Sequence, residues 1–162
     1  MSNCLIFTAL IMENLTLLKY KVHQRCLEYL KDRFNNMTTS LQSISSGLKN
    51  ETKSSAGDKH ETGRAMLHLE MEKTGQQMKV LNEMKLTLEQ IDLSTGTSNI
   101  GLGSLVTTTR GNFYLAISAG EMKIDDFSCF AVSIVSPIGK DLVGKKVGDQ
   151  LKINGAYIIQ IA

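Results

Sequence analysis

The sequence predicts an α+β protein: a long antiparallel helical hairpin, paired as a coiled coil, followed by a small antiparallel β domain with one short helix. Three observations carry this. An apolar helical period runs through residues 14–92 without a proline, a stretch lacking large apolar residues interrupts it at 50–63, and strand-like alternation replaces it after residue 100.

The first helix is read from Leu15, Leu18, Val22, Cys26, Leu30, Phe34, Met37, Leu41, Ile44 and Leu48. Steps of three and four place these on one narrow stripe with a single stutter. A second stripe runs through Leu67, Met71, Met78, Leu81, Met84, Leu88 and Ile91. A narrow stripe on a long helix wants one partner helix rather than a broad core. Only two stripes exist, which argues against a four-helix bundle. Helices of roughly 30–35 residues are about 45–55 Å long, so the hairpin is expected to extend well beyond a small domain at its base. The chain is expected to reverse near 53–63, within the run Asn-Glu-Thr-Lys-Ser-Ser-Ala-Gly-Asp-Lys-His-Glu-Thr-Gly that begins at Asn50.

Residues 93–100 read as a polar linker and 101–162 as the β domain. Strands are expected over 104–109, 112–118 and 127–133, the first two joined by a tight turn at Arg110-Gly111, with a weaker one at 122–124. Pro137 suits the first turn of a short helix over 137–143, with Ser136 as its cap and Gly144 as its stop. Asn154-Gly155 predicts a final hairpin between 150–153 and 156–161.

Composition narrows the function classes. Apolar residues make up 42% and charged residues 21%, the balance of a folded chain rather than a disordered one. Eighteen basic against sixteen acidic side chains leave a net charge of +2, too even for sequence-specific or bulk binding of bare nucleic acid. Cys4, Cys26 and Cys129 are odd in number and far apart, which suggests neither a disulfide framework nor a zinc site. They read as free thiols of a cytoplasmic protein, and no apolar run approaches the ~20 residues that span a bilayer. Residues 1–11 lack signal-peptide features, and Met12-Glu13 is a second plausible start. Domain 12–92 is therefore taken as the hairpin and 1–11 as a non-native or disordered extension. A monomer is expected.

The most specific run is Ser136-Pro137-Ile138-Gly139-Lys140-Asp141-Leu142-Val143-Gly144-Lys145-Lys146-Val147-Gly148-Asp149. Ser-Pro-Ile, a short helix, then Gly-Lys-x-Val-Gly-Asp resembles the C-terminal domain of the Gre family of bacterial transcript cleavage and elongation factors. Gly103-Ser104-Leu105-Val106 is similar to the Gly-Ser-x-Val that opens that domain. The resemblance covers 12–162. It implies a C-terminal domain of FK506-binding-protein topology, docked on bacterial RNA polymerase at the rim of its secondary channel. Ser136, Pro137, Ile138, Lys140, Lys145 and Lys146 are the docking residues it implies. The hairpin tip would reach the polymerase active centre and touch the RNA 3′ end only indirectly. Any cleavage would belong to the polymerase, so the protein is not expected to be an enzyme or to hold a cofactor of its own.

In the family, two tip carboxylates help hold a second Mg²⁺ ion of the polymerase. Asp58 and Glu61 fall on those positions in the tip Gly57-Asp58-Lys59-His60-Glu61-Thr62-Gly63-Arg64-Ala65. A metal pair clamps the attacking and leaving oxygens of a phosphodiester, and a weakly held ion gains from added oxygen ligands. The tip also departs from the family's Gly-Asp-Leu-x-Glu-Asn: Lys59 replaces the leucine, Thr62 the asparagine, and Arg64 and Ala65 the following acid and tyrosine. Two cations within a turn of the carboxylates weaken a Mg²⁺ site. The alternatives are thus a channel-occupying regulator without cleavage, or a coiled-coil scaffold in which Asp58 and Glu61 are solvated charges at a helix N-terminus. Peptidyl-prolyl isomerisation is less favoured, because the β domain offers few aromatics to line a pocket. Met66, Met71, Met78 and Met84 read as helix-pair filling, and His23, His60 and His68 lack metal spacing.

Overall fold

The computed structural model describes the backbone of residues 2–53, 58–94 and 98–162, and the side chains of 14–49, 61–94 and 98–162. Its elements in order are helix α1 (Ser2–Lys53), helix α2 (Asp58–Glu89), strands β1 (Leu105–Thr108), β2 (Gly111–Ala116), β3 (Gly120–Ile124) and β4 (Phe127–Ser133), helix α3 (Pro137–Leu142) and strand β5 (Ile158–Ile161). The class is α+β, as the sequence predicts. Two compact units result, one of Tyr29–Leu86 and one that joins Met1–Glu28 to Thr87–Ala162.

In the helical unit, Gly47 of α1 lies against Leu67 of α2, whose Cδ1 would stand 3.3 Å from a Cβ added at that glycine. Helices joined by four residues make such a contact only if they run antiparallel. The sequence stripe of α1 is the packed one: Leu30 and Ile44 are buried, and Phe34, Met37, Leu41 and Leu48 are half-buried. On α2 the stripe is corrected at one turn. Met66 and Met71, both expected to fill the helix pair, are exposed, and Thr74 takes the inward position between Leu67 and Leu81. Its hydroxyl donates to the Glu70 carbonyl at 2.8 Å, which satisfies the buried oxygen without a partner from α1.

The other unit is built on a five-stranded sheet in the order β3-β4-β2-β1-β5. The sheet is mixed, where the sequence reading had it wholly antiparallel. β2 and β4 pair in parallel, Phe113 opposite Phe130 and Leu115 opposite Val132. The reason is insertion. β3 runs opposite to both but sits at the edge, and β4 returns between β3 and β2. Glu121 and Lys123 suit β3 to an edge, whereas β4 buries Cys129 and Ala131. The last hairpin is also corrected. Asn154-Gly155 does turn, with Gly155 at φ +71, yet 150–153 pairs with the returning chain only at Gln150 and Tyr157. Ile158–Ile161 goes instead to β1, with Val106 opposite Ile161. There Ile158 enters the core, a gain that an isolated hairpin does not offer.

Alternation along the strands gives the sheet two buried faces. One packs Val106, Leu115 and Ile158 against Leu142 of α3, Leu151 and Ile100. The other carries Leu105, Tyr114, Met122, Cys129 and Ala131, all buried. The base of α1 reaches this second face, where His23 Nδ1 and the Tyr114 hydroxyl are 2.8 Å apart. Lys21 of α1 also pairs with Asp125, in the β3–β4 turn, at 3.1 Å.

Candidate functional site

The Ser-Pro-Ile-Gly run is first of all a helix start. Ser136 Oγ donates to the Ser133 carbonyl at 2.6 Å and accepts the Gly139 N–H at 3.1 Å. Pro137 follows at a position where the missing N–H costs nothing. Gly139 is dictated by space. A Cβ there would collide with the Ser133 carbonyl oxygen and stand 2.9 Å from the carbon that bears it. Ile138 packs on the core. The Gly-Lys-Lys-Val-Gly-Asp run is likewise a pair of turns. Gly144 and Gly148 take φ of +80 and +92, and Asp149 Oδ2 accepts the Lys146 N–H at 2.8 Å.

What remains outward is a rim around α3. Val135 is 69% exposed, Val147 58% and Val143 45%, and Pro137 is exposed beside them. Lys140 and Lys146 are exposed, and neither ammonium meets a partner among the described residues. Lys145 differs. It is drawn in beside Asp141 at 3.7 Å, and Asp141 Oδ2 also accepts the Ile153 N–H at 3.0 Å. Of the six expected docking residues, then, Ser136 and Ile138 shape the surface, Lys145 is partnered within it, and Pro137, Lys140 and Lys146 present it. Val135, Val143 and Val147 were missed by the sequence reading. The sequence reading assigned no role to Val135, and the turn at Ser133–Ser136 puts it outside.

The hairpin tip is the second expected site. Gly57 lies outside the described residues. Asp58, Lys59 and His60 open α2, their side chains also outside the described set. Glu61 and Arg64 are exposed, three residues apart on one helix face. Among the described residues no three His, Cys, Asp or Glu side chains converge as a metal site. Nor is any described helix long and apolar enough to cross a membrane.

A third cluster escaped the sequence reading altogether. Lys19, His23 and Cys26 of α1 and Tyr114 and Cys129 of the sheet are all buried. Burial, then the neighbouring Lys19 cation, holds His23 below the ordinary imidazole range. Burial also lowers Lys19, with Asp92 opposing. The thiols of Cys26 and Cys129 are pushed up to about 12, chiefly by burial. The sequence signals were Cys26, itself on the inward stripe, and His23, which falls next to Val22 of that stripe.

No protein-family model matches the chain, and no curated protein does. Two of the solved structures that match cover most of the chain. One is a crystal structure of the GreA factor homolog 1 (Gfh1) protein of Thermus thermophilus, 22% identical, with a TM-score of 0.35, covering 83% of this chain and 93% of that one. The other is a structure of the transcription factor Gfh1, 21% identical, with a TM-score of 0.32, covering 86% of this chain and 92% of that one. Over most of its length the chain is similar to Gfh1, a GreA homolog.

Proposed function

We propose that this protein is a transcription factor of the Gre type that binds bacterial RNA polymerase and modulates the polymerase active site, without a catalytic centre of its own. One observation carries the reading. The run 136–149, which resembles the Gre C-terminal motif in its Ser-Pro-Ile start and its Gly-Lys-x-Val-Gly-Asp end, folds into a capped helix ringed by Val135, Val143 and Val147 and by the outward Lys140 and Lys146. Exposed apolar side chains beside unpaired cations suit a partner surface that is apolar with an acidic rim.

Asp58 and Glu61 would be the residues to meet a Mg²⁺ ion held by the polymerase, supplying oxygen ligands at the first turn of α2. Lys59 and Arg64 favour a second reading, occupancy of the secondary channel without cleavage. The exposed Arg64 lies on the Glu61 face, where a guanidinium competes with a cation for the carboxylate.

A stalled, backtracked elongation complex tests both, with co-precipitation run beside transcript cleavage. Val135→Asp, which alters only an exposed side chain, is expected to abolish polymerase binding. Cleavage lost in Asp58→Ala/Glu61→Ala with binding kept supports the metal role. Binding without cleavage in the parent protein supports channel occupancy. Absence of binding overturns the Gre reading and leaves a coiled-coil scaffold.

A further inference from the structure

We propose that the open edge of β3 is a self-complementary interface, through which two copies of this chain pair and join their sheets across a twofold axis at Met122. β3 is an outer strand of the sheet. The direction of its backbone groups follows from β4. The Ala131 carbonyl accepts the Ala119 N–H at 3.2 Å, whereas the Ser128 carbonyl accepts the Asn112 side-chain amide at 2.8 Å from the β2 side. Odd-numbered residues of β4 therefore turn their polar backbone groups to β3, and even-numbered ones to β2. Glu121 and Lys123 stand opposite the even-numbered Phe130 and Ser128. Their own N–H and C=O groups thus point away from β4, and they meet no partner among the described residues. Such a row is a template for one more strand. The other outer strand, β5, is partly closed: Ile158 gives its N–H to the Asp149 carbonyl and accepts the Gly148 N–H.

A second copy fits this edge by charge. When two β3 strands run antiparallel about Met122, Glu121 faces the partner's Lys123, and Lys123 faces the partner's Glu121. All four residues turn their backbone groups outward, so each pair closes reciprocal N–H···O=C bonds. Within one chain the two side chains are exposed and hold each other at 3.5 Å. Pairing exchanges that local contact for two cross-strand ones. An axis at Glu121 or at Lys123 would set like charges opposite each other, which fixes the register. Shape agrees with charge. Gly120 falls opposite the partner's Ile124, and a Cβ built at Gly120 meets nothing within 4 Å, so the isoleucine finds open space there. Nor does α1 close the edge. A cleft of about 460 Å³ lies between Tyr20, Lys21 and Gln24 of α1 and Ile124 and Asp125 at the turn end of β3. The interface does not rest on the Gre reading and is tested without polymerase.

Sedimentation equilibrium of the full-length protein over a concentration series is the test, and a reversible monomer–dimer equilibrium is expected. Glu121→Lys and Lys123→Glu each set like charges opposite one another at both twofold-related pairs. Each should weaken self-association on the order of tenfold. The two variants are complementary to each other, so their mixture should form a heterodimer as strong as the parent dimer. Glu121→Lys/Lys123→Glu in one chain should restore pairing in the same way. Hydrogen exchange read by NMR should slow at the Glu121 and Lys123 amides as the concentration rises, while Met122, whose backbone already faces Cys129 of β4, keeps its rate. Three results overturn the proposal: a protein that stays monomeric up to about 1 mM, an association that the single variants leave unchanged, or a loss that neither the mixture nor the double variant restores.

Discussion

Replacing Gly139 by alanine reverses the usual rule for helices. In an open helix interior, Gly→Ala stabilises by about 1 kcal/mol, because glycine loses more backbone freedom on folding. Gly75, in the middle of α2, is such a site, exposed and with nothing within 4 Å of an added Cβ. At Gly139 the same methyl runs into the Ser133 carbonyl and stands 3.0 Å from the Ile134 Cα. Both obstacles are backbone, so neither yields by a rotamer change. The Ser133 carbonyl accepts the Ser136 N–H at 3.0 Å and Ser136 Oγ at 2.6 Å, and displacing it breaks both and unseats the cap. At about 1 kcal/mol for each hydrogen bond and about 1 for the cap, the loss is about 3 kcal/mol. Subtracting the ~1 kcal/mol propensity gain leaves about 2 kcal/mol net, or a Tm lower by about 4–8 °C. Urea unfolding of Gly139→Ala beside Gly75→Ala measures it. Opposite signs are expected. Stabilisation in both variants would refute the steric argument and, with it, the account of why Ser-Pro-Ile is followed by glycine.

Gly103→Ala is expected to cost more than an ordinary surface change, because φ is +86 and the new Cβ would lie 2.6 Å from Ile91 Cγ2; a lowered urea midpoint reports it. His23 has its folded pKa depressed, so the unfolded chain binds the extra proton first. Stability should therefore be full above about pH 6.5 and decline as the pH falls through that value, as read by urea midpoints near pH 7 and 5. The two buried thiols have folded values raised to about 12, so the opposite limb follows: stability declines as the pH rises past their ordinary range, and His23→Gln leaves that limb unchanged. Iodoacetamide at mild alkaline pH should leave Cys26 and Cys129 unmodified in the native protein and alkylate both in urea, which mass spectrometry resolves; rapid native labelling would contradict their burial.

The helix pair was legible because its signal is repetitive. A stripe of ten apolar positions on α1 survives any one error, and each described member of it is buried or half-buried. The α2 stripe failed at Met71 because methionine looked more inward than Thr74, whose hydroxyl is satisfied by its own helix. The start of α3 was legible for another reason: a cap, a proline and a stop are all local, and Ser136, Pro137 and Gly144 act as expected. Strand partners were not legible. β2, β3 and β4 each read as strands, but nothing in their residues announces that β4 inserts beside β2. The docking surface was half legible. Pro137, Lys140 and Lys146 are motif residues that face outward, whereas Val135, Val143 and Val147 look in sequence like any other core valine.

By itself the sequence determined the class, the helix stripes, the capped helix and the turns, because each is set within a few residues by backbone freedom and side-chain period. Only the tertiary structure decided three further things: the parallel β2–β4 pair, the loss of the last hairpin to β1, and the burial of Lys19, His23 and Tyr114 together. These depend on which distant surfaces bury the most apolar area and leave no polar atom unpaired. That choice is made between segments about ninety residues apart, such as His23 and Tyr114, and no local period records it.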